Sequence, residues 1–439
     1  MRYKKIIFIL LAILTAGKGF TQSLNKEKLD QYIHVLETNN KLMGSVLVFQ
    51  NGKNIYSRSS GFSNIVTAIK PAANTMYRIG SISKTITAVL VLKAVEEGKL
   101  ELSKNIKSFF PSLKNAERIK ISDLLNHHSG IHNFTGGNFY TWNTKPISRH
   151  DLLDSITSGG SDFDPGSKAS YSNSNYVLLS FILEDIYRQP YGSILNNKII
   201  KPLHLSHFQF GDALIAPENK AVPYNFEAGW NAASETNLSI PMGAGGVLSS
   251  PEDLAKVTDA IFHGKIISRQ MLDTMKTQSD GFGFGLFEKN IFGNTAYTHD
   301  GSIDGFNSFF YYFPKEEIIY VLLSNAENYQ LDTVNNSILS IIFNQPFDLP
   351  EFSTYTVFSK ELDQYNGTYI SKTSPLIIEI WNKNNFLLAQ PRGQKIYTMA
   401  ATDKNKFFHE KTGVTLDFNP SENQLILKQG QQSIVFTKQ

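Results

Sequence analysis

The sequence predicts an α+β fold, an antiparallel sheet flanked by helices, followed by a small all-β C-terminal domain. Three observations carry this: a strand pair close to the N-terminus, a second strand pair with a closing helix near residue 340, and short strands after a proline-bearing break. Residues 25–39 place Leu29, Ile33 and Leu36 at helical spacing. Residues 44–50 and 54–59 flank Asn51-Gly52, a hairpin signal because both residues tolerate positive φ. Residues 81–97 read as a helix with Gly98 at its C-cap. From about 100 to 280, short helical patterns alternate with loops rich in Gly, Pro and Ser. Residues 306–313 and 317–324 read as strands and 333–343 as a helix. The natural assembly is one sheet combining the first and last strands, covered by helices. Pro346 and Pro350 follow the end of that helix, so 346–355 read as a linker. Beyond it, within 356–439, residues 376–381, 414–418 and 424–428 read as strands. No internal repeat is evident.

The 439 residues, 41% hydrophobic and 18% charged, have globular composition and more length than one average domain uses. Basic Arg2, Lys4 and Lys5 precede an apolar run, residues 6–16, and small residues follow it, the layout of a secretory leader over 1–21. The run is too short for a permanent bilayer anchor. Removing Arg2, Lys4, Lys5 and Lys18 with the leader takes the formal charge from +3 to −1, which gives no electrostatic case for nucleic acid. There is no cysteine, hence no disulfide, no thiol chemistry and no acylated lipoprotein cysteine. The expectation is a soluble exported protein, periplasmic or extracellular, with no stable membrane anchor; its oligomeric state is open.

The most specific segment is Tyr77-Arg78-Ile79-Gly80-Ser81-Ile82-Ser83-Lys84-Thr85. A serine hydroxyl needs a nearby base at neutral pH, and a helix offers one at i+3 on nearly the same face. A helix start also aims free N–H groups and the positive dipole end at a reacting carbonyl. Alone, Ser-x-x-Lys is more often a capping pattern. A second segment, Tyr171-Ser172-Asn173, offers a phenol that neighbouring cations such as Lys84 would have to lower, and an amide that both donates and accepts. A third, Tyr297-Thr298-His299-Asp300-Gly301-Ser302, reads as a polar edge strand able to bind an extended substrate and supply an oxyanion N–H, its glycine letting the substrate come close.

In this order the three segments resemble the serine β-lactamase and penicillin-binding family, in the branch of class C β-lactamases, D-alanyl-D-alanine carboxypeptidases, D-aminopeptidases and esterases. That family carries Ser-x-x-Lys, Tyr-x-Asn and a Lys/His-x-Gly strand triplet. Residues 124–130 and 243–254 look like the same family, and the resemblance covers roughly 26–343. The domain expectation is therefore a β-lactamase-related hydrolase over 22–345 and, from Tyr365-Asn366-Gly367-Thr368-Tyr369, a small β-barrel-like domain over 356–439. The resemblance implies Ser81 as nucleophile, Lys84 and Tyr171 as its activators, and Asn173, His299 and Gly301 as substrate-binding residues. The backbone N–H groups of Ser81 and Ser302 would form the oxyanion hole. No metal and no cofactor is implied. Which of Lys84 and Tyr171 is the base stays open, because coupled groups titrate as a pair.

The expected function is a serine hydrolase forming an acyl-enzyme with a peptide, amide or ester, a small-molecule or peptide substrate of possible cell-wall origin. The alternatives are a β-lactamase or D-Ala-D-Ala carboxypeptidase proper, and an acylated sensor without turnover. His299 stands where carboxylate-binding relatives place lysine and is mostly neutral at pH 7, so weak β-lactamase and carboxypeptidase turnover is expected. Lys411-Thr412-Gly413 mimics the missing triplet but reads as a surface turn beyond the linker. His127, His128 and His132 lack further ligands at zinc spacing and read as loop packing. Gly281-x-Gly283-x-Gly285 lacks nucleotide-loop spacing and reads as a strand packed closely by something. The aromatic loop 132–142 fits a cleft wall and a surface lid equally well.

Overall fold

The computed structural model describes residues 24–137, 139–211, 219–353, 355 and 357–439; the expected leader lies outside them. The central sheet is antiparallel and six-stranded. Its strands are β1 (Leu42–Gln50), β2 (Lys53–Ser60), β3 (Phe287–Ile291), β4 (Asn294–Ile303), β5 (Phe306–Phe313) and β6 (Ile318–Glu327), in the order β2-β1-β6-β5-β4-β3. First and last strands thus join, as the sequence predicts. Asn51 and Gly52 take φ of 51° and 72°, so the β1–β2 connection is the two-residue turn their chemistry favours.

β1 and β6 are buried along nearly their whole length because both sheet faces are covered. On one face lie α1 (Lys26–Thr38) and a later helix, Leu331–Ile342, whose Leu29, Ile33, Leu36, Ile338 and Leu339 pack on Val46, Val48 and Tyr320. The other face carries the larger core, centred on α2 (Ser83–Glu96) and α3 (Asn173–Tyr187). α2 is buried all round, so it shows no amphipathic stripe. A buried helix is an unusual place for a lysine, and Lys84 sits on its first turn.

Eight antiparallel strands between Gly367 and Lys438 follow each other in sequence and close when Tyr369 pairs with Lys438. Their inward residues form a separate core. Lys41–Glu410 and Lys411–Glu327, both at 2.8 Å, tie this barrel to the ends of β1 and β6. Residues 410–413 form the turn expected there, and it faces the end of β6.

Candidate active site

The short strand Tyr77–Arg78 delivers the chain into a 3-10 turn, Gly80–Ile82, that runs directly into α2. Ser81 therefore precedes the α-helix proper. Gly80 adopts φ +49°, and a Cβ on it would stand 2.9 Å from Ser302 N. From the other side, a Cβ on Gly301 would fall 2.1 Å from Ile79 O and 2.9 Å from Ser81 N. Gly301 is thus demanded by the nucleophile turn lying against it, a packing duty distinct from admitting substrate.

β3 pairs with β4 only through Thr298, so His299 to Ile303 form an open edge on an otherwise interior strand. Asp304 and Gly305, at φ 56° and 95°, make a two-residue hairpin closed by Ile303 and Phe306. The closing pair exchanges its hydrogen bonds and the next pair does not, so Ser302 N–H points away from β5 to the open edge. The two prospective oxyanion donors thus sit on backbones in van der Waals contact. Asp304-Gly305 is itself a strong hairpin signal, absent from the strand pattern expected above.

Lys84 Nζ donates to Ser81 Oγ at 3.0 Å, Asn173 Oδ1 at 2.7 Å and Ala244 O at 2.8 Å. Complete burial holds Lys84 well below its ordinary value, against a weak pull upward from Asp300. In the amine form the same 3.0 Å contact carries the Ser81 O–H into the Nζ lone pair. Burial pushes the Tyr171 phenol upward, against a smaller pull downward from the Ser81 hydroxyl. The lowering by Lys84 anticipated from sequence does not arise: Nζ lies 4.8 Å over the ring, yet desolvation of the phenolate dominates and the opposing pull comes from Ser81. Both groups are driven toward their neutral forms, an amine and a phenol.

His299 is buried, with ring centroids 6.5 Å from Tyr171 and 5.0 Å from Phe287. Burial, then Lys84, pushes it down to about 4. Its Nδ1 lies 2.6 Å from Asp300 O, which fixes the proton on Nδ1. His127, read as loop packing, sits 4.6 Å from the Tyr171 ring and accepts from Ser172 N, so it pins the tyrosine. His128 and His132 turn elsewhere, to Asp280 and Asp162. Residues 281–285 form a loop, not a strand: the turns within it follow positive φ at Gly281 and Gly285. What packs on it is α2, through Thr85 Oγ1 to Gly285 O at 2.7 Å.

The aromatic loop resolves as a cleft wall. Phe134, Thr135, Phe139 and Tyr140 line a cavity of about 130 Å³ beside Ser81, Asn173 and Ser302. Asn133 Oδ1 and Thr135 Oγ1 accept from Asn173 N and Nδ2, setting that amide's orientation. Thr236 and Asp304 complete the lining. The Asp304 carboxylate accepts from Thr236 N and Oγ1 at 2.7 and 2.6 Å and from Arg78 Nη1 at 2.7 Å. Arg78 Nε lies 2.9 Å from Glu235, which also pairs with Lys220. Nothing in the sequence alone marks this ion-paired clamp.

A serine on a helix-entry turn, a buried lysine in contact with it, and two adjacent backbone donors define a serine hydrolase. The chain belongs to the β-lactamase family, whose model matches residues 30–339. It is similar to a putative penicillin-binding protein, PbpX, of Bacillus subtilis (strain 168), 27% identical over 75% of this chain and 84% of the relative. It is also similar to a teichoic acid D-alanine hydrolase of Staphylococcus aureus (strain MRSA252), 26% identical over 60% of this chain and 66% of the relative. Among solved structures, D-amino acid amidase from Ochrobactrum anthropi SV3 shares the fold, with TM-score 0.65 and 22% identity over 72% of this chain and 99% of that one.

Proposed function

We propose that this chain is an exported hydrolase that cleaves amides or esters of small acyl groups lacking a free carboxylate, through an acyl-enzyme on Ser81. The observation that carries the reading is Lys84 Nζ, buried, held toward the amine and 3.0 Å from Ser81 Oγ. Lys84 takes the Ser81 proton as Oγ bonds to the substrate carbonyl carbon. The oxyanion then faces the N–H groups of Ser81 and Ser302. The neutral phenol of Tyr171 protonates the leaving nitrogen or oxygen and regains its proton from Lys84; water then attacks the acyl ester, giving its proton to Lys84, and the acid leaves as Ser81 Oγ takes that proton back.

Two features support the substrate class. His299 is neutral and Asp300 beside it adds negative charge that acts on Lys84, Tyr171 and His299, a poor setting for a substrate carboxylate. The cavity of about 130 Å³ is walled by Phe134, Phe139 and Ile240, a volume below the ~150 Å³ that takes benzene, which suits a small aliphatic side chain. The amidase and D-alanine hydrolase relatives make D-alanyl amides and esters the first choices. The test is steady-state turnover on D-alanine p-nitroanilide, D-alanyl esters, D-Ala-D-Ala peptides and a chromogenic cephalosporin. Multiple turnovers on the first two, with little on the last two, support the reading. Efficient cephalosporin hydrolysis overturns the substrate class, and a stable adduct without turnover overturns the hydrolase.

A further inference from the structure

The C-terminal barrel is filled unevenly. One half is plugged by Tyr365, Tyr369, Phe407, Phe418 and Phe436, all nearly fully buried, with Tyr365 4.6 Å from Phe418 and 5.3 Å from Phe407. The other half is lined mostly by shorter side chains, among them Ile378, Ala389, Val414, Leu427 and Ile434, with Tyr397 as its one large aromatic among the described residues, and holds a cavity of about 240 Å³. Val414, Leu427 and Ile434 are only partly buried there, although they point inward. A domain built for stability alone would fill this space, because a void forfeits the dispersion contacts of its lining.

The lining specifies the chemistry of an occupant. Among the described residues, no Asp, Glu, Lys or Arg borders the cavity. Its polar side chains are neutral: Gln394, Thr412, Gln429 and Gln432 at the rim, Tyr397, and His409, whose ring is 5.1 Å from that of Tyr397 and whose Nδ1 lies 2.8 Å from Thr412 Oγ1. Burial pushes His409 down to about 4, so it also carries no charge near neutrality. Mouths of eight-stranded barrels hold single small ligands, and this one exceeds the roughly 150 Å³ that takes benzene. We propose that the barrel mouth is a binding site for one medium-length alkyl chain ending in an uncharged hydrogen-bonding group, such as a fatty alcohol or neutral acyl lipid. The chain enters between Ala389 and Leu427, and the head group meets Thr412 and the rim glutamines.

The experiment is calorimetric titration of the full chain carrying Ser81→Ala, which removes any covalent reaction, with 1-octanol and, separately, octanoate. Saturable binding of 1-octanol with a negative heat-capacity change is expected, and octanoate at pH 8 should bind at least tenfold more weakly. Ala389→Leu should weaken 1-octanol at least tenfold while the far-ultraviolet spectrum is kept. Leu427→Ala, which enlarges the space, should shift preference from 1-octanol toward 1-decanol. Absence of saturable octanol binding, equal affinity for octanoate, or unchanged binding in a folded Ala389→Leu chain overturns the proposal. If Ala389→Leu fails to fold, Leu427→Ala decides independently, and an unchanged chain-length preference there overturns the proposal as well.

Discussion

Two polar clusters flank Ser81, and they solve the problem of burial in opposite ways. On one side Lys84, Tyr171, His127 and His299 are buried without an ion pair among the described residues, and each is displaced toward its neutral form. On the other side Arg78, Glu235, Lys220 and Asp304 are paired charge against charge. Burial still lifts the Asp304 carboxyl above its ordinary value, with Thr236 and Arg78 pulling it back. The first cluster holds groups whose protons are available; the second holds geometry. Arg78 lies three residues before Ser81 and Asp304 two residues after Ser302, so their 2.7 Å bond ties together the two backbones that carry the proposed oxyanion donors.

The difference is open to attack from both sides. Lys84→Met should lower kcat by on the order of 10⁴-fold with little change in KM; activity within tenfold of wild type would show that the unpaired cluster is not the proton acceptor. Asp304→Ala should be second in effect on rate and first in effect on stability. It takes from Arg78 one of its two carboxylate partners and leaves Glu235, so the cost falls at the low end of the about 3–5 kcal/mol of breaking a buried pair, while loss of one well-placed oxyanion donor costs about 10²-fold in kcat. Thermal melting and kinetics on the same sample would separate the two; a stable but slow variant would break the assignment of geometry to this side.

The acid response sharpens the contrast. His299 is near 4 in the folded chain, against about 6.5 unfolded. The unfolded chain therefore binds the extra proton between these values, and stability is retained above pH 6.5 and lost as pH falls toward 4. A fall of several degrees in melting temperature from pH 6.5 to 4.5 is expected. His299→Gln should shrink that fall without abolishing it, because His127 and His409 are displaced in the same direction. The smallest effect belongs to Lys411→Ala, outside both clusters. Its half-exposed pair with Glu327 is worth at most about 1 kcal/mol, and kcat/KM should stay unchanged; a drop would mean that the barrel turn reaches the active site.

What the sequence disclosed follows the range of the forces involved. Asn51-Gly52, the helix from Ser83 and the strand Phe306–Phe313 are set by neighbours a few residues away, and each lies where local chemistry puts it. β3 escaped detection because Glu288, Lys289 and Asn290 are all exposed, leaving no alternation to read. Ser81, Lys84, Tyr171 and Asn173 were legible only as ordered motifs, and the structure gathers them around Lys84, which bonds Ser81 and Asn173 and lies over the Tyr171 ring. The clamp was illegible because Arg78, Glu235 and Asp304 are far apart in the chain, and no single one is unusual. The role of His127 was hidden for the same reason, since its partner Tyr171 comes from a distant loop.

The junction between the domains behaves like a polarised plug. Adjacent Glu410 and Lys411, opposite in sign, meet Lys41 and Glu327, whose strands are themselves paired side by side. Turned about by half a revolution, the barrel would set Lys41 against Lys411 and Glu327 against Glu410, two repulsions in place of two attractions. A grafted barrel therefore needs its sockets copied as a pair, and exchanging Lys41 with Glu327 alone would favour the reversed seating.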